Sequence, residues 1–287
     1  MSGVDALSRR IPELWALPAD AAAAAGAGTA VEELLALLEA GTVRAAVRED
    51  GTWRAVPWVK QGILLAFRTG SIVRFGDADA PGAHPVFRFL DKNTLPPRVF
   101  EPDDGVRIVP GGSSIRRGTY IAPGVICMPP MYVNVGAWVG AGTMVDSHAL
   151  VGSCAQVGER VHLSAAAQIG GVLEPVNAAP VVVEDDVIVG GNCGVYEGTV
   201  VRERAVLGAG VVLTRGTPVY DLVRETIYRG SADRPLEIPA GAVVVPGARA
   251  VRSEWGVAQS LSLQTPVIVK YRDSRTDTAT ALETWLR

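Results

Sequence analysis

The chain has 287 residues and a formal net charge of −3, and 48% of its residues are hydrophobic. A weakly acidic chain has no basic surface for nucleic acid, and apolar stretches such as Ala21–Ala25 are too short to span a membrane, so neither partner is expected. Three cysteines without paired spacing, and an N-terminus in which Arg9, Arg10 and Glu13 interrupt any signal-peptide core, predict a cytoplasmic protein.

The first part of the chain predicts a small α-rich domain. The segment Val31–Ala40 has the apolar spacing of an amphipathic helix, with Thr29 as its N-terminal cap. A β-hairpin over 43–56 and a further helix over 58–67 are expected to follow. We assign residues 1–104 to this domain.

Beyond this domain, an aliphatic residue or cysteine recurs at every sixth position. The first series is Val109, Ile115, Ile121, Cys127, Val133, Val139, Val145, Val151, Val157, Leu163 and Ile169. A second series, two residues out of phase, is Val183, Val189, Val195, Val201, Leu207, Leu213 and Val219, followed later by Ile238 and Val244. Because only about a third of a typical chain is aliphatic, such a run is improbable by chance.

This period predicts a triangular prism. Each six-residue unit is a short strand and a turn, three units make one coil, and the aliphatic side chain points inward. The small residue four places later is expected to fill the corner, where glycine would supply permissive backbone angles. The sequence therefore predicts a mainly β fold, with a parallel β-helix of hexapeptide repeats over residues 105–250 and a short C-terminal tail over 251–287.

Such a coil is compatible with a non-catalytic trimeric scaffold, a zinc-dependent carbonic anhydrase or an acyltransferase. A carbonic anhydrase of this type needs three histidines on zinc. The chain has only His84, His148 and His162, and His84 precedes the coil. We therefore expect no metal.

Eight segments carry more specific motifs, both inside and outside the repeat. They are Thr143–Asp146, Val151–Gly158, Val161–Ser164, Ile169–Pro175, Gly51–Trp53, Trp58–Arg68, Val106–Pro110 and Val267–Lys270. Together they resemble the tetrahydrodipicolinate N-succinyltransferases, which are hexapeptide-repeat acyltransferases with a left-handed β-helix. Because crossovers between parallel strands are right-handed in roughly 98% of cases, the left hand is predicted from the resemblance alone.

The resemblance implies transfer of a succinyl group from succinyl-CoA to the amine of an open-chain form of tetrahydrodipicolinate, in lysine and diaminopimelate biosynthesis. An amine attacks a thioester only when unprotonated, so a carboxylate or imidazole must take or hold its proton. Asp146 matches the family's catalytic and substrate-binding aspartate. Arg107 matches its substrate arginine, whose planar guanidinium suits a dicarboxylate. His148 is expected to share the strand face of Asp146 and to orient the substrate.

One position departs from the family pattern. Gly194 stands where the family usually has a second active-site glutamate. Three explanations are open: Asp146 alone suffices, the acceptor amine differs, or a neighbour such as Asn192, Glu174 or Glu197 fills the role. Glu174 is favoured over Glu197 because it lies in the segment that interrupts the repeat, and loops commonly carry function.

Other polar and sulfur-containing residues are given structural interpretations. His162 lies in a family motif that is not associated with the base, so a structural role is favoured. The acidic run 184–186 is interpreted as a solvated turn. Cys154 and Cys193 are interpreted as small buried residues rather than nucleophiles.

Coenzyme A, carrying the succinyl group as co-substrate, is expected along the groove between neighbouring β-helices. The close approach of its pantetheine arm to backbone favours glycine, so Gly171, Gly190 and Gly208 are predicted to contact it, with Lys270 near its phosphates. A single prism face offers no deep pocket, so we predict a homotrimer with active sites between subunits.

Two alternatives remain beside the main interpretation. An acyltransferase that uses another donor, such as acetyl-CoA, or another amine would keep Asp146 and the groove while changing the second carboxylate. A non-catalytic trimeric scaffold would need neither Arg107 nor the motif Gly170–Pro175.

Overall fold

The computed structural model describes residues 3–75 and 89–273, so His84 lies outside the described residues. Its N-terminal helices are α1 (Gly3–Trp15), α2 (Ala19–Ala24), α3 (Ala27–Glu39) and α4 (Pro57–Thr69). The other N-terminal elements are a hairpin of Ala46–Glu49 with Thr52–Ala55, a hairpin of Ile72–Phe75 with Phe89–Lys92, and the 3₁₀ turn Pro102–Asp104. The two predicted helices and the first hairpin are confirmed, while α1 and α2 were not predicted.

Helix α3 begins earlier than the sequence suggested. Its N-cap is Gly26, in the left-handed conformation and without a side-chain cap, so Thr29 lies inside the helix and its predicted capping role is wrong. The short connection from α2 makes the turn at Gly26, since glycine tolerates positive φ. The apolar face of α3 then packs against α1 and α4.

Most of the remaining chain forms coils whose strands lie on three faces and are mostly two residues long. Face 1 is Ser114–Ile115, Tyr132–Val133, Leu150–Val151, Gln168–Ile169, Gly194–Val195 and Val212–Leu213. Face 2 is Tyr120–Ile121, Trp138–Val139, Gln156–Val157, Val182–Val183, Val200–Val201 and Glu237–Ile238. Face 3 begins with Arg107–Ile108, Ile126–Cys127, Met144–Val145, His162–Leu163, Ile188–Val189 and Val206–Leu207.

The second residue of each coil strand points inward, and these residues form one continuous buried stack from Ile115 onward. The sequence predicted that this stack would begin at Val109, and that prediction is wrong. Because the first coil contains one extra residue, Ile108 and not Val109 is the residue paired with Cys127. Neither Ile108 nor Val109 is buried. Val219 is buried but lies outside the coils, in an antiparallel pair with 226–228.

The glycines of the coil have a different role from the predicted one, which was to supply permissive backbone angles at the corner. The position with positive φ is the third after the inward residue, as at Cys154, where φ is 65°. The glycine directly after the inward residue is required by close packing instead. A Cβ atom on Gly152 would lie 2.2 Å from the backbone nitrogen of Gly171 in the next coil.

Two insertions and a long hairpin complete the described chain. One insertion follows Ile169, and the second, after Leu213, contains the strands Val219–Asp221 and Thr226–Tyr228. Strands Ala242–Ala250 and Ser262–Tyr271, joined through helix α5 (Glu254–Ala258), pair antiparallel and extend face 3. The predicted mainly β fold with a parallel β-helix is confirmed, and we propose the boundaries near residues 104 and 250 as its domain limits. None of the helices within the described ranges is both long and apolar enough for a bilayer crossing.

The N-terminal helices pack directly on one edge of the prism. Val135 and Cys154, from turns between face 1 and face 2, belong to the same buried cluster as the helices. A Cβ atom on Gly136 would lie 2.7 Å from Cδ1 of Ile63 in α4. The helices and the coil therefore share a continuous apolar contact.

The inward stack generates a stability prediction. Leu163 is fully buried between Val145 and Val189, so Leu163→Ala should lower the free energy of unfolding by about 2–5 kcal/mol through lost burial and a cavity. Val212→Ala is the control, because Val212 points outward and is 39% exposed, and its effect should stay below about 1 kcal/mol. Urea unfolding followed by circular dichroism measures both, and equal effects would contradict the inward assignment.

Candidate active site

The turns between faces stack into three edges, which we name by one residue each. The Asp146 edge joins face 3 to face 1, the Glu174 edge joins face 1 to face 2, and the Glu184 edge joins face 2 to face 3. The backbone hydrogen bonds of successive coils fix the stacking order along each edge. Along the Asp146 edge the residues that follow the inward position are Met128, Asp146, Ser164, Gly190 and Gly208.

Asp146 lies at the start of its turn, directly after the strand on face 3. Its backbone nitrogen donates to the carbonyl of Leu163 at 2.9 Å, which fixes the turn against the next coil. Its Oδ1 accepts from the nitrogen of Ser147 at 2.7 Å, and its Oδ2 lies 4.0 Å from Nε2 of His162. The Asp146 side chain is 31% exposed, so the carboxylate can reach a ligand while remaining oriented.

His162, and not His148, is the histidine whose ring lies near Asp146. The strand ends at Val145, and His148 lies beyond it in a turn. Its φ is 61° and its side chain is exposed. The prediction that His148 shares the strand face of Asp146 is therefore wrong. His162 is the outward residue of the next strand on face 3, paired with Met144. In the sequence, His162 lies one coil further along the repeat than Met144, and this spacing could have identified it.

Arg107 lies on the same face as His162. It is an exposed residue of the first strand of face 3, two strands before Met144. With neighbouring strands roughly 4.8 Å apart, the Arg107 and Met144 backbones are about 10 Å apart, within reach of one extended ligand. The structure thus brings Arg107, His162 and Asp146 to one side of the prism.

Glu174 lies on a different edge, beside a cavity of about 830 Å³. Glu197 and Arg215 line the same cavity. The Glu197 carboxylate accepts a hydrogen bond from the backbone nitrogen of Arg215 at 3.0 Å, whereas the Glu174 carboxylate has no such partner within residues 3–75 and 89–273. Glu174 is therefore the carboxylate that remains available to a ligand.

The segment that carries Glu174 is anchored by a residue that the sequence did not single out. Lys60 of α4 is fully buried, and its Nζ donates to the carbonyl of Ala178 at 2.6 Å and contacts that of Pro175 at 3.5 Å. Burial lowers the pKa of Lys60, since the charged form loses its hydration. The sequence did contain a signal for this role, because Lys60 lies within the apolar face of a predicted helix. One task of the N-terminal helices is thus to hold this insertion in place.

The residues predicted to contact coenzyme A do not share one groove within a chain. Gly190 and Gly208 lie on the Asp146 edge, but Gly171 lies on the Glu174 edge. Packing already requires two of these glycines, because a Cβ atom on Gly190 would lie 2.6 Å from the nitrogen of Ala209, and one on Gly171 would lie equally close to Ser153. Lys270 lies at the C-terminal end of face 3, with Nζ 3.7 Å from Asp273 Oδ1.

Glu184 is not part of a solvated turn, as the sequence suggested. Its side chain is 6% exposed and lies in a cavity of about 400 Å³ between the first hairpin and face 2. Its Oε1 accepts from Trp53 Nε1 at 2.9 Å and from Arg202 at 2.8 Å. Burial alone would raise the pKa of Glu184, but the Trp53 hydrogen bond and the Arg202 charge outweigh it and lower that pKa. These contacts attach the hairpin to the coil.

The cysteines are buried, in agreement with their structural interpretation. Burial raises the pKa of both the Cys127 and the Cys154 thiols to about 12, so neither forms a thiolate near neutral pH. Across the described part of the chain, no group of three or more histidine, cysteine, aspartate or glutamate side chains is arranged to hold a metal ion.

Asp146 and Glu174 lie on neighbouring edges, separated by the width of face 1. Five to six residues of extended chain, at roughly 3.3 Å each, make that width about 15–20 Å. A small acceptor cannot bridge both carboxylates within one chain.

Comparison with known proteins identifies the family. The sequence model described as the N-terminal domain of tetrahydrodipicolinate N-succinyltransferase matches residues 6–69, and that of the hexapeptide repeat of succinyl-transferase matches residues 180–215. A protein of Polynucleobacter asymbioticus named 2,3,4,5-tetrahydropyridine-2,6-dicarboxylate N-succinyltransferase is 41% identical over 264 residues, covering 90% of this chain and 89% of its own. The chain belongs to the tetrahydrodipicolinate N-succinyltransferase family.

Further relatives agree with this membership. A protein of the same name from Azoarcus sp. is 42% identical over 271 residues, covering 93% of this chain and 92% of its own. A solved Campylobacter jejuni structure, provisionally named as a 2,3,4,5-tetrahydropyridine-2-carboxylate N-succinyltransferase, superposes with a TM-score of 0.51. It is 19% identical and covers 84% of this chain and 62% of its own, so it supports the fold alone.

The cavity on the Glu174 edge generates a prediction for this family member. Glu174→Gln should lower kcat/KM for the acceptor by about tenfold or more, because the cavity loses a carboxylate that is available to a cationic ligand. Glu197→Gln should cost less than about threefold, because the amide oxygen of glutamine can still accept from Arg215. Steady-state thiol release at saturating acyl donor measures both. The reverse order of effects would remove Glu174 from the site.

Proposed function

We propose that the protein transfers the succinyl group of succinyl-CoA to the amine of tetrahydrodipicolinate in its open-chain form. The observation that carries the proposal is the oriented, partly exposed Asp146 carboxylate with His162 at 4.0 Å, within a chain whose family members bear this activity in their names. The more general statement, that the protein transfers an acyl group to an amine, depends only on the Asp146 carboxylate.

The acceptor nitrogen binds as an ammonium and loses one proton to water before attack, so the reaction itself needs one further proton acceptor. The unprotonated amine nitrogen attacks the thioester carbonyl carbon, and the carbonyl electrons move to oxygen to give a tetrahedral intermediate. Asp146 takes the proton that the nitrogen loses, the intermediate collapses with cleavage of the carbon–sulfur bond, and the thiolate of coenzyme A leaves and is protonated. His162 acts as a positioning residue that orients the Asp146 carboxylate. A thioester is already reactive towards amines, so we propose no metal.

The surrounding residues suit an amino-dicarboxylate and an acyl-CoA. Arg107, on the face of His162, offers a planar double donor for one carboxylate of the acceptor. Glu174 offers a carboxylate for its ammonium. We propose that coenzyme A runs along the Asp146 edge past Gly190 and Gly208, with Lys270 near its phosphates. Gly171 would contact it only from the neighbouring copy.

Assembly follows from the separation of the two edges. Because Asp146 and Glu174 lie about a face width apart, we propose a homotrimer in which each active site takes the Asp146 edge from one copy and the Glu174 edge from the next. Three such contacts close a ring. We also propose a cytoplasmic location, in keeping with three unpaired, buried cysteines.

One observation favours a second candidate, an N-acyltransferase with a different acceptor or with acetyl-CoA. At Gly194, where the family pattern usually carries a glutamate, the outward surface is covered by the ring of Tyr196. A tyrosine ring in place of the family's glutamate side chain is what a pocket for a different acceptor would show. Thiol release with succinyl-CoA and acetyl-CoA, against a panel of amino-dicarboxylates, separates the two candidates by their relative kcat/KM.

The role of Asp146 is tested by Asp146→Asn. Removal of a general base should lower kcat by a factor of about 10²–10⁴, while coenzyme A affinity, measured by calorimetry, should remain within about twofold. His162→Gln should lower kcat by about tenfold, because it removes only the positioning contact. If Asp146→Asn kept activity within about threefold of the parent, the base would lie elsewhere, with His162 the next candidate.

The shared site is tested by mixing subunits. Asp146→Asn and Glu174→Gln chains are each expected to be impaired, but co-expressed chains should form some interfaces with both native residues. Random assembly in equal amounts makes about a quarter of the interfaces native, so activity should recover to about that fraction of the parent. Co-expression of two tagged copies of Asp146→Asn alone is the control and should show no recovery. A stable, active monomer in light scattering would contradict the trimer.

A further inference from the structure

Gly194 and Tyr196 occupy one place on face 1. Gly194 is an outward residue, yet it is buried, because the ring of Tyr196 lies across it. A Cβ atom on residue 194 would lie 2.4 Å from Tyr196 Cε2 and 2.9 Å from both Cζ and Oη. Such approaches are closer than atomic contact allows. A side chain on residue 194 and the present position of the Tyr196 ring therefore exclude each other.

The direction of the ring matters for the proposed site. Tyr196 begins on the Glu174 edge, where its Cδ1 would lie 2.7 Å from a Cβ atom on Gly170. Its hydroxyl lies beside Gly194, further along face 1. The phenol therefore extends from the Glu174 edge towards the middle of the face that separates this edge from Asp146.

Tyr196 is also part of the wall of the cavity on the Glu174 edge, together with Glu174 and Arg215. The Tyr196 hydroxyl and the Arg215 guanidinium form no hydrogen bond or ion pair with other side chains in the two described ranges of the chain. Both groups are hydrogen-bond donors, and Arg215 carries a positive charge. The cavity thus offers two available donors close to one available carboxylate.

We propose that Tyr196, admitted by the absence of a side chain at Gly194, determines the acceptor specificity of the site. Its hydroxyl and Arg215 bind a carboxylate of an amino-dicarboxylate acceptor, and Glu174 binds the ammonium of the same molecule. A side chain at position 194 would displace the Tyr196 ring, and with it the hydroxyl that binds this carboxylate. This inference rests on the proposed function and assigns the substrate-binding groups of that same site.

The hydroxyl is tested by Tyr196→Phe in the full-length assembled protein. The loss of one hydrogen bond to a carboxylate should raise KM for tetrahydrodipicolinate about five- to tenfold, with KM for succinyl-CoA changed by less than about twofold. Tyr220→Phe, on a strand outside the coils, is the matched control and should change neither constant. Thermal melting shows whether each variant remains folded.

The steric pairing is tested by a double-mutant cycle. Gly194→Glu alone should lower kcat/KM for the acceptor by at least about tenfold, because the ring must leave its place. In the Tyr196→Val background the same glutamate meets no ring, so its additional effect should be at least about threefold smaller. Equal effects of Gly194→Glu in both backgrounds would show that the ring and residue 194 do not compete, and would overturn the pairing.

Calorimetry with a saturated amino-dicarboxylate of the same length as tetrahydrodipicolinate shows whether this inference and the proposed function fail separately or together. If the parent turns over tetrahydrodipicolinate but Tyr196→Phe leaves its KM unchanged, the inference is wrong and the function stands. If the parent binds the amino-dicarboxylate without turnover, and Tyr196→Phe weakens binding about fivefold or more, the function fails and the inference stands. If the parent neither binds nor turns over amino-dicarboxylates, both are wrong.

Discussion

The close stacking of one coil on the next is the constraint on which the rest of the structure depends. Inward aliphatic residues fill the prism, and the turns approach each other so closely that a Cβ atom on Gly152 would lie 2.2 Å from the next backbone. Such packing leaves little freedom, because interiors packed at crystal-like density transmit any change of volume. Each outward side chain is therefore held at a fixed height and on a fixed face. This rigidity gives Asp146 and His162 their mutual position.

Function then depends on where the regular coil is interrupted. The insertion after Ile169 carries Glu174, and Lys60 of α4 anchors that insertion through two backbone carbonyls. The N-terminal helices thus act on the candidate site without lining the Asp146 edge. The buried ion network around Glu184 attaches the first hairpin to face 2 and complements this support. A small helical region consequently holds the inserted segment that lines the cavity beside Glu174.

The separation of Asp146 from Glu174 links the architecture to assembly. A triangular prism places its edges a face width apart, so no single copy can surround a small substrate with groups from two edges. In the proposed homotrimer, a neighbouring copy removes this limit by turning a convex edge into one wall of a cleft. Gly194, the position predicted to depart from the family pattern, and Tyr196 lie on the face between these edges. A change there alters the cleft without disturbing the stack beneath it.

The sequence by itself determined the coil, because an inward position every sixth residue leaves a periodic signal: Ile115 to Ile169 and Val183 to Leu213 were predicted and found buried. Motifs also predicted Asp146 as a site residue and Gly194 as a departure from the family pattern. Only the tertiary structure decided which residues meet. The extra residue before Cys127, the nearness of His162 to Asp146 and the Tyr196 ring over Gly194 depend on contacts between coils, which sequence spacing within one coil does not encode.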